Sequence, residues 1–124
     1  MEREKKKQNT ILIIESDDFL RHILRDFSEK LGLRVVHDAQ LSRGMQRSQG
    51  KHIVAIILGA SATGQLSEGR AKGYIRNHFR DTKPPVIFIR ERGPFPSYEQ
   101  LSIKKLMREL STQLSKNGLR KRTA

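Results

Sequence analysis

Cysteine is absent from this chain of 124 residues. That absence excludes disulfide scaffolds, thiolate zinc sites, iron–sulfur clusters and cysteine nucleophiles together. Tryptophan is absent too, and aromatic residues make up only 6%, so a core here must be aliphatic. No apolar run approaches the roughly 18 residues of a membrane-spanning helix. The first apolar run, which opens at Ile11, is too short for the apolar region of a signal peptide, so a cytoplasmic protein is expected. Acids are scarce as well: 13 Asp and Glu stand against 25 Lys and Arg, for a net charge of +12. Hydrophobic residues, at 35%, suffice for one core, and the length suits one domain.

Such a charge favours nucleic acid, anionic membrane or acidic protein partners. Part of it sits at the ends of the chain. Arg3, Lys5, Lys6 and Lys7 outweigh Glu2 and Glu4, and Lys116, Arg120, Lys121 and Arg122 have no acid among them. These runs read first as solvated tails, which gives a basic tail at 1–8, a folded domain at 9–115 and a second basic tail or linker at 116–124. The nucleic-acid alternative would draw on Lys5, Lys6, Lys7, Arg76, Arg80, Arg120, Lys121 and Arg122.

Between the tails, short apolar runs alternate with helical periodicity. The runs at 10–14, 33–37, 53–58 and 86–89 read as buried strands, with 53–58 the most apolar and therefore central. Phe19, Leu20, Ile23, Leu24, Phe27 and Leu31 recur at three- and four-residue steps, which predicts a one-faced helix closed by Gly32. A weak helix over 41–48 contains Gly44. Leu66, Ala71, Tyr74, Ile75 and Phe79 predict a third helix, and Pro84-Pro85 stops it before the fourth strand. After the turn 93–96, Ile103, Leu106, Met107, Leu110 and Leu114 form a stripe of period 3.6, predicting a last helix packed near Phe19, Ile23 and Phe27. Right-handed crossovers turn this alternation into an α/β fold, a doubly wound parallel sheet in order 2-1-3-4.

In an open parallel sheet, ligands bind beyond the carboxyl ends of the strands. Those ends carry Glu15-Ser16-Asp17-Asp18, Leu58-Gly59-Ala60-Ser61 and Arg90-Glu91-Arg92. Acids after the first strand suit an oxygen-ligand cation site, but they are read first as helix capping by Ser16, Asp17 or Asp18 and compensation of the helix dipole. His22, His37, His52 and His78 never pair at metal-ligand spacing. Ser61, Thr63 and Ser67 have no base or acid in sequence reach, and the loop 59–64 lacks the Lys and glycine spacing of a phosphate loop. No metal and no cofactor are expected.

The run Ile11-Leu-Ile-Ile-Glu-Ser-Asp-Asp-Phe-Leu-Arg21 resembles the opening of response-regulator receiver domains. Ile23-Leu-Arg-Asp-Phe27 and Leu31-Gly-Leu-Arg-Val-Val36 resemble their first helix and second strand. Pro84-Pro-Val-Ile-Phe-Ile89 resembles their fourth strand, and Pro94-Phe-Pro-Ser-Tyr-Glu-Gln-Leu101 their Pro-Phe turn and last helix. The likeness runs over residues 9–115. It implies a flavodoxin-like fold with a phospho-accepting Asp after strand three, two acids for Mg²⁺ after strand one, a Ser or Thr after strand four, and a Lys before the Pro.

Against that pattern the chain is degenerate. Glu15 matches the first acid, while Ser16 replaces the second and Asp17 follows one step late. The acceptor position falls at Leu58 or Gly59, and no carboxylate occurs between Ile53 and Ser67. Arg90 stands for the hydroxyl residue and Gly93 for the Lys. Only Arg90, Glu91, Arg92 and Gly93 separate Ile89 from Pro94, so the fourth helix and fifth strand of a receiver are reduced or absent. The resemblance therefore implies a pseudo-receiver, not an enzyme. The runs Ile57-Leu-Gly-Ala-Ser61 and Pro96-Ser-Tyr98 are similar to the N-terminal domains of bacterial enhancer-binding transcription regulators. The function expected is a protein-interaction domain of signal transduction, self-associating or docking on a partner through Arg90, Glu91, Arg92, Phe95 and Tyr98. Arg90 is further expected either to pair with Glu15 or Asp17 as a fixed lock, or to point to solvent. Direct nucleic-acid binding and a small anionic ligand at the strand ends are the alternatives.

Overall fold

The computed structural model describes residues 8–89 together with Arg108 and Thr112. Strand and helix alternate as β1 (Asn9–Ile14), α1 (Asp18–Lys30), β2 (Arg34–Asp38), α2 (Leu41–Arg47), β3 (His52–Gly59), a single 3-10 turn (Ala60–Ala62), α3 (Glu68–His78) and β4 (Val86–Ile89). Every strand pair is parallel, and the order is β2-β1-β3-β4. The inner strands β1 and β3 are covered on both faces, which is why they are apolar at nearly every position.

Alternation along these strands sends side chains into two cores. Ile11, Ile13 and Ile57 join Leu24 of α1 on one face of the sheet. Leu12, Ile14, Ile56 and Leu58 join Leu41 and Met45 of α2 and Ala71 and Ile75 of α3 on the other. The alternation breaks at Val54 and Ala55, which share a core, and there the pairing register of β1 against β3 slips by one residue.

Local chemistry sets the ends of the helices. Asp17 caps α1, its Oδ1 accepting from the Leu20 N–H at 3.1 Å, and Ser67 caps α3 by accepting from Arg70 N–H at 3.2 Å. Gly32, at φ 87°, ends α1 with its own N–H on Glu29 O and the Leu33 N–H on Ser28 O, the paired bonds of a Schellman cap. Gly44 is needed for a different reason. A Cβ there would come within 2.9 Å of Ile14 Cγ1, so the glycine lets α2 lie close on β1.

The face of α1 differs from the expected one. Leu24 and Ser28 are its fully buried residues, Leu20 packs beside them, and Ser28 Oγ donates to Leu24 O at 2.8 Å. Phe19 is 74% exposed and Phe27 40% exposed. The stripe 19-23-27 and the stripe 20-24-28 lie side by side, and the sheet takes the second. The predicted last helix and its stripe from Ile103 to Leu114 lie outside the described residues, where only Arg108 and Thr112 are placed, both helical.

Candidate site at the carboxyl ends of the strands

Ile14 of β1 pairs with Leu58 of β3, so the next residues, Glu15 and Gly59, meet side by side where the strands run out. Leu58 points into the α2–α3 core, which leaves Gly59 as the position that faces the site. Here Glu15 is decisive. Only 2% of it is exposed, its Oε2 accepts the Asp17 N–H at 2.9 Å, and its carboxylate lies across Gly59. A Cβ at position 59 would overlap Glu15 Oε1 and sit 2.8 Å from its Cδ. The carboxylate of residue 15 thus fills the space that a side chain at residue 59 would enter.

The backbone of Glu15 is held from both sides. Its N–H donates to Asp38 O at 3.0 Å, and its carbonyl accepts from Arg21 Nη1 at 2.7 Å. Arg21 also donates through Nε to His37 Nδ1 at 3.2 Å and pairs with Asp18 at 2.5 Å. One guanidinium therefore ties α1 to the ends of β1 and β2. Nothing in the sequence pattern singled out Arg21. Its signal, an arginine one turn into the helix after an acidic strand end, is too common to read alone.

Ser16 and Ser61 close the outer side of the site. Their hydroxyls are 2.6 Å apart, linking the β1–α1 loop to the turn after β3. Thr63 is buried and its hydroxyl bonds Ala60 O and Leu66 O, both at 3.0 Å. Ser67 is committed to its cap. The hydroxyls of the loop thus serve a bond between loops, a turn and a cap.

At the neighbouring end of β2, Asp38 accepts from Gln40 N–H at 3.1 Å and from Arg43 Nε at 3.2 Å, with Arg47 Nη1 at 3.4 Å. Burial raises its carboxyl, but the Gln40 N–H and the two guanidiniums outweigh it and hold the group below the usual aspartate range. His37 is pushed the other way from a charged state: burial, then Arg21, Arg25, Arg47 and His22, lower its pKa.

This donor set does not fit a divalent cation. Asp17 caps a helix, Asp18 pairs with Arg21, Ser16 bonds Ser61, and Glu15 itself accepts the Asp17 N–H. Among the described residues no group of three or more His, Asp or Glu side chains is arranged to hold a metal ion, and no helix is long and apolar enough to cross a membrane. Arg76 and Arg80 are exposed on α3 and just beyond it. Arg90, Glu91, Arg92, Gly93, Phe95 and Tyr98, and the basic residues Lys5, Lys6, Lys7, Arg120, Lys121 and Arg122, lie outside the described residues.

No family model matches the chain, and no curated protein does. Solved structures do. The signal receiver domain of a LuxO-type repressor protein from Vibrio parahaemolyticus superposes with a TM-score of 0.65 at 13% identity, over 92% of this chain and 95% of that one. The receiver domain of a sensor histidine kinase from Pseudomonas aeruginosa, solved with a magnesium ion in its active-site cleft, gives 0.56 at 14% identity over 84% and 97%. The response regulator StyR gives 0.56 at 16% identity over 88% of this chain and 68% of its own. At such identities the likeness is one of architecture, and the chain has the fold of a receiver domain.

Proposed function

We propose that the chain is a receiver-like regulatory domain of signal transduction that takes no phosphate and works through protein contacts, by self-association or by docking on a partner domain. One observation carries the reading. The position that faces the site at the end of β3 is Gly59, and the Glu15 carboxylate fills the space of its missing side chain. An aspartyl phosphate needs a carboxylate nucleophile with room for a phosphoryl group and a cation to neutralise it. Position 59 supplies neither atom nor room, and the acids nearby are spent on a cap and an ion pair.

The similar structures come from a repressor, a sensor kinase and a response regulator, which supports a regulatory role. The narrower context, an N-terminal domain of a bacterial enhancer-binding regulator, rests on the Gly59 and Tyr98 runs alone. Arg90, Glu91, Arg92, Phe95 and Tyr98 remain the proposed protein interface. The test is intact mass after incubation with acetyl phosphate and magnesium. No gain of one phosphate is expected. A base-labile phosphate mapped to Glu15, Asp17 or Asp18 overturns the reading.

A further inference from the structure

Helix α3 buries one side and leaves the other bare. Ala71 and Ile75 face the core, and the outward residues fall into two adjacent stripes. Gly69, Gly73, Arg76 and Arg80 follow one another at steps of four, three and four residues. Leu66, Arg70, Tyr74 and Asn77 form the stripe beside them. All eight are exposed, Tyr74 at 44%. The ion pair of this helix, Lys72 with Glu68 at 3.0 Å, lies on its inner flank. Arg70, Arg76, Arg80 and Lys83 have no ion pair among the described residues, although Asp81 is exposed nearby.

The two glycines sharpen the picture. A Cβ at Gly69 or Gly73 would meet nothing within 4 Å, so neither packing nor a positive φ demands glycine there. Alanine would make a more stable helix at both positions. What glycine supplies on an outward face is a stretch without side chains, along which a partner backbone can approach beside Arg70 and in line with Arg76 and Arg80. From Arg70 to Arg80 the face spans roughly 15 Å at the helical rise. Three arginines and an aromatic ring over that length, with Lys83 just beyond it, complement a row of phosphates, which a duplex presents about every 1.7 Å of its axis.

We propose that this face of α3 is a docking surface for the phosphate backbone of a nucleic acid. It is independent of the phosphate-free reading of the strand ends, whose test is a mass measurement. Arg70, Arg76, Arg80 and Lys83 contact phosphates, and Tyr74 packs against sugar or base. The contacts carry no base-edge reading, so binding is insensitive to sequence and steeply sensitive to salt.

Duplex DNA of arbitrary sequence, titrated with the full chain by fluorescence anisotropy over a range of salt, tests it. The affinity of the wild type should fall with a steep log–log salt slope. Replacing Arg70, Arg76, Arg80 and Lys83 together by Ala should make that slope shallower by about 0.9 for each contact removed. The matching Lys variant of the three arginines should keep the slope, with circular dichroism showing both variants folded. Changing Lys5, Lys6, Lys7, Arg120, Lys121 and Arg122 to Ala should leave the α3 share of the slope in place. The proposal is overturned if the wild type binds no duplex at low salt. It is equally overturned if the tail variant alone abolishes binding while the α3 variant is unchanged, or if polyglutamate binds as tightly as duplex DNA, which would point to an acidic protein.

Discussion

Two acids stand at the ends of adjacent parallel strands, Glu15 after β1 and Asp38 at the end of β2, and both are largely withdrawn from water. They are used in opposite ways. Asp38 looks outward to Arg43 and Arg47, which are themselves more than half exposed, so it is an anchor that fastens α2 to the edge strand. Glu15 looks sideways along the sheet, into the space above Gly59, and its carboxylate acts there as volume as much as charge. The difference shows how the same residue class at equivalent strand ends can serve as an anchor at one and as a filler of space at the other. At the junction of β1 and β3 the long acid of one strand occupies the space that a side chain on the other would enter.

Breaking that arrangement should give the largest effect. Gly59→Asp forces the Glu15 carboxylate away from the Asp17 N–H and sets a second acid beside it, at a cost of about 3 kcal/mol or more in urea unfolding. Gly59→Asn has the same size without the charge, so the gap between the two variants measures repulsion alone. Adding Glu15→Ala to Gly59→Asp should recover about 0.5–3 kcal/mol as a coupling between neighbours. Strict additivity of the two changes would show that the side chains do not share the space.

The anchor should yield less. Asp38→Asn keeps the shape but weakens the bonds from Gln40, Arg43 and Arg47, costing about 1–2 kcal/mol, since the arginines can turn to solvent. The acid is held below its ordinary value of 3.8 when folded, so its contribution is present above that value and is lost as pH falls through the lower folded value. The Asn variant should therefore show a flatter stability profile in acid than the wild type.

These two acids also mark how far the sequence could be read. Order, direction and ends of the elements were legible, because buried parallel strands are short apolar runs and Gly32 and Pro84-Pro85 are unambiguous stops. That no carboxylate occurs between Ile53 and Ser67 could be read directly. What was not legible was geometry across the chain. Whether Leu58 or Gly59 faced the site depends on a register one residue deep, and the slip at Thr10 and Ile11 is invisible in composition. The face of α1 was ambiguous because Phe19, Ile23 and Phe27 are as apolar as Leu20 and Leu24. Period gives a helix, but it does not give its rotation when two neighbouring stripes are both hydrophobic.

His37 offers a smaller test of the β2 side. Burial and the surrounding Arg21, Arg25, Arg47 and His22 put its folded pKa below the ordinary imidazole value of 6.5, so the unfolded chain takes up its proton first. Stability should be full above that value and decline as pH falls from it toward the folded pKa. His37→Gln should remove that share of the decline below pH 6.5, measured by urea midpoints. An unchanged profile would show that the imidazole is as free to ionise in the folded chain as in the unfolded one.

The smallest effect belongs to the closure between the loops. Ser16 and Ser61 share a neutral bond of 2.6 Å, and both residues are exposed, so water can replace either partner. Net hydrogen-bond contributions in such settings are small, and Ser61→Ala should change unfolding free energy by less than about 0.5 kcal/mol. The same argument says where a surprise would matter. The bond joins the turn after β3 to the loop that carries Glu15, so a loss of about 1 kcal/mol or more from this exposed pair would mean that it holds the Glu15 carboxylate over Gly59. In that case Ser61→Ala should also lower the cost of Gly59→Asp, because Glu15 would already be released. Equal costs of Gly59→Asp with and without Ser61 would separate the two, leaving the Asp17 N–H and the Arg21 clamp as what fixes Glu15 in place.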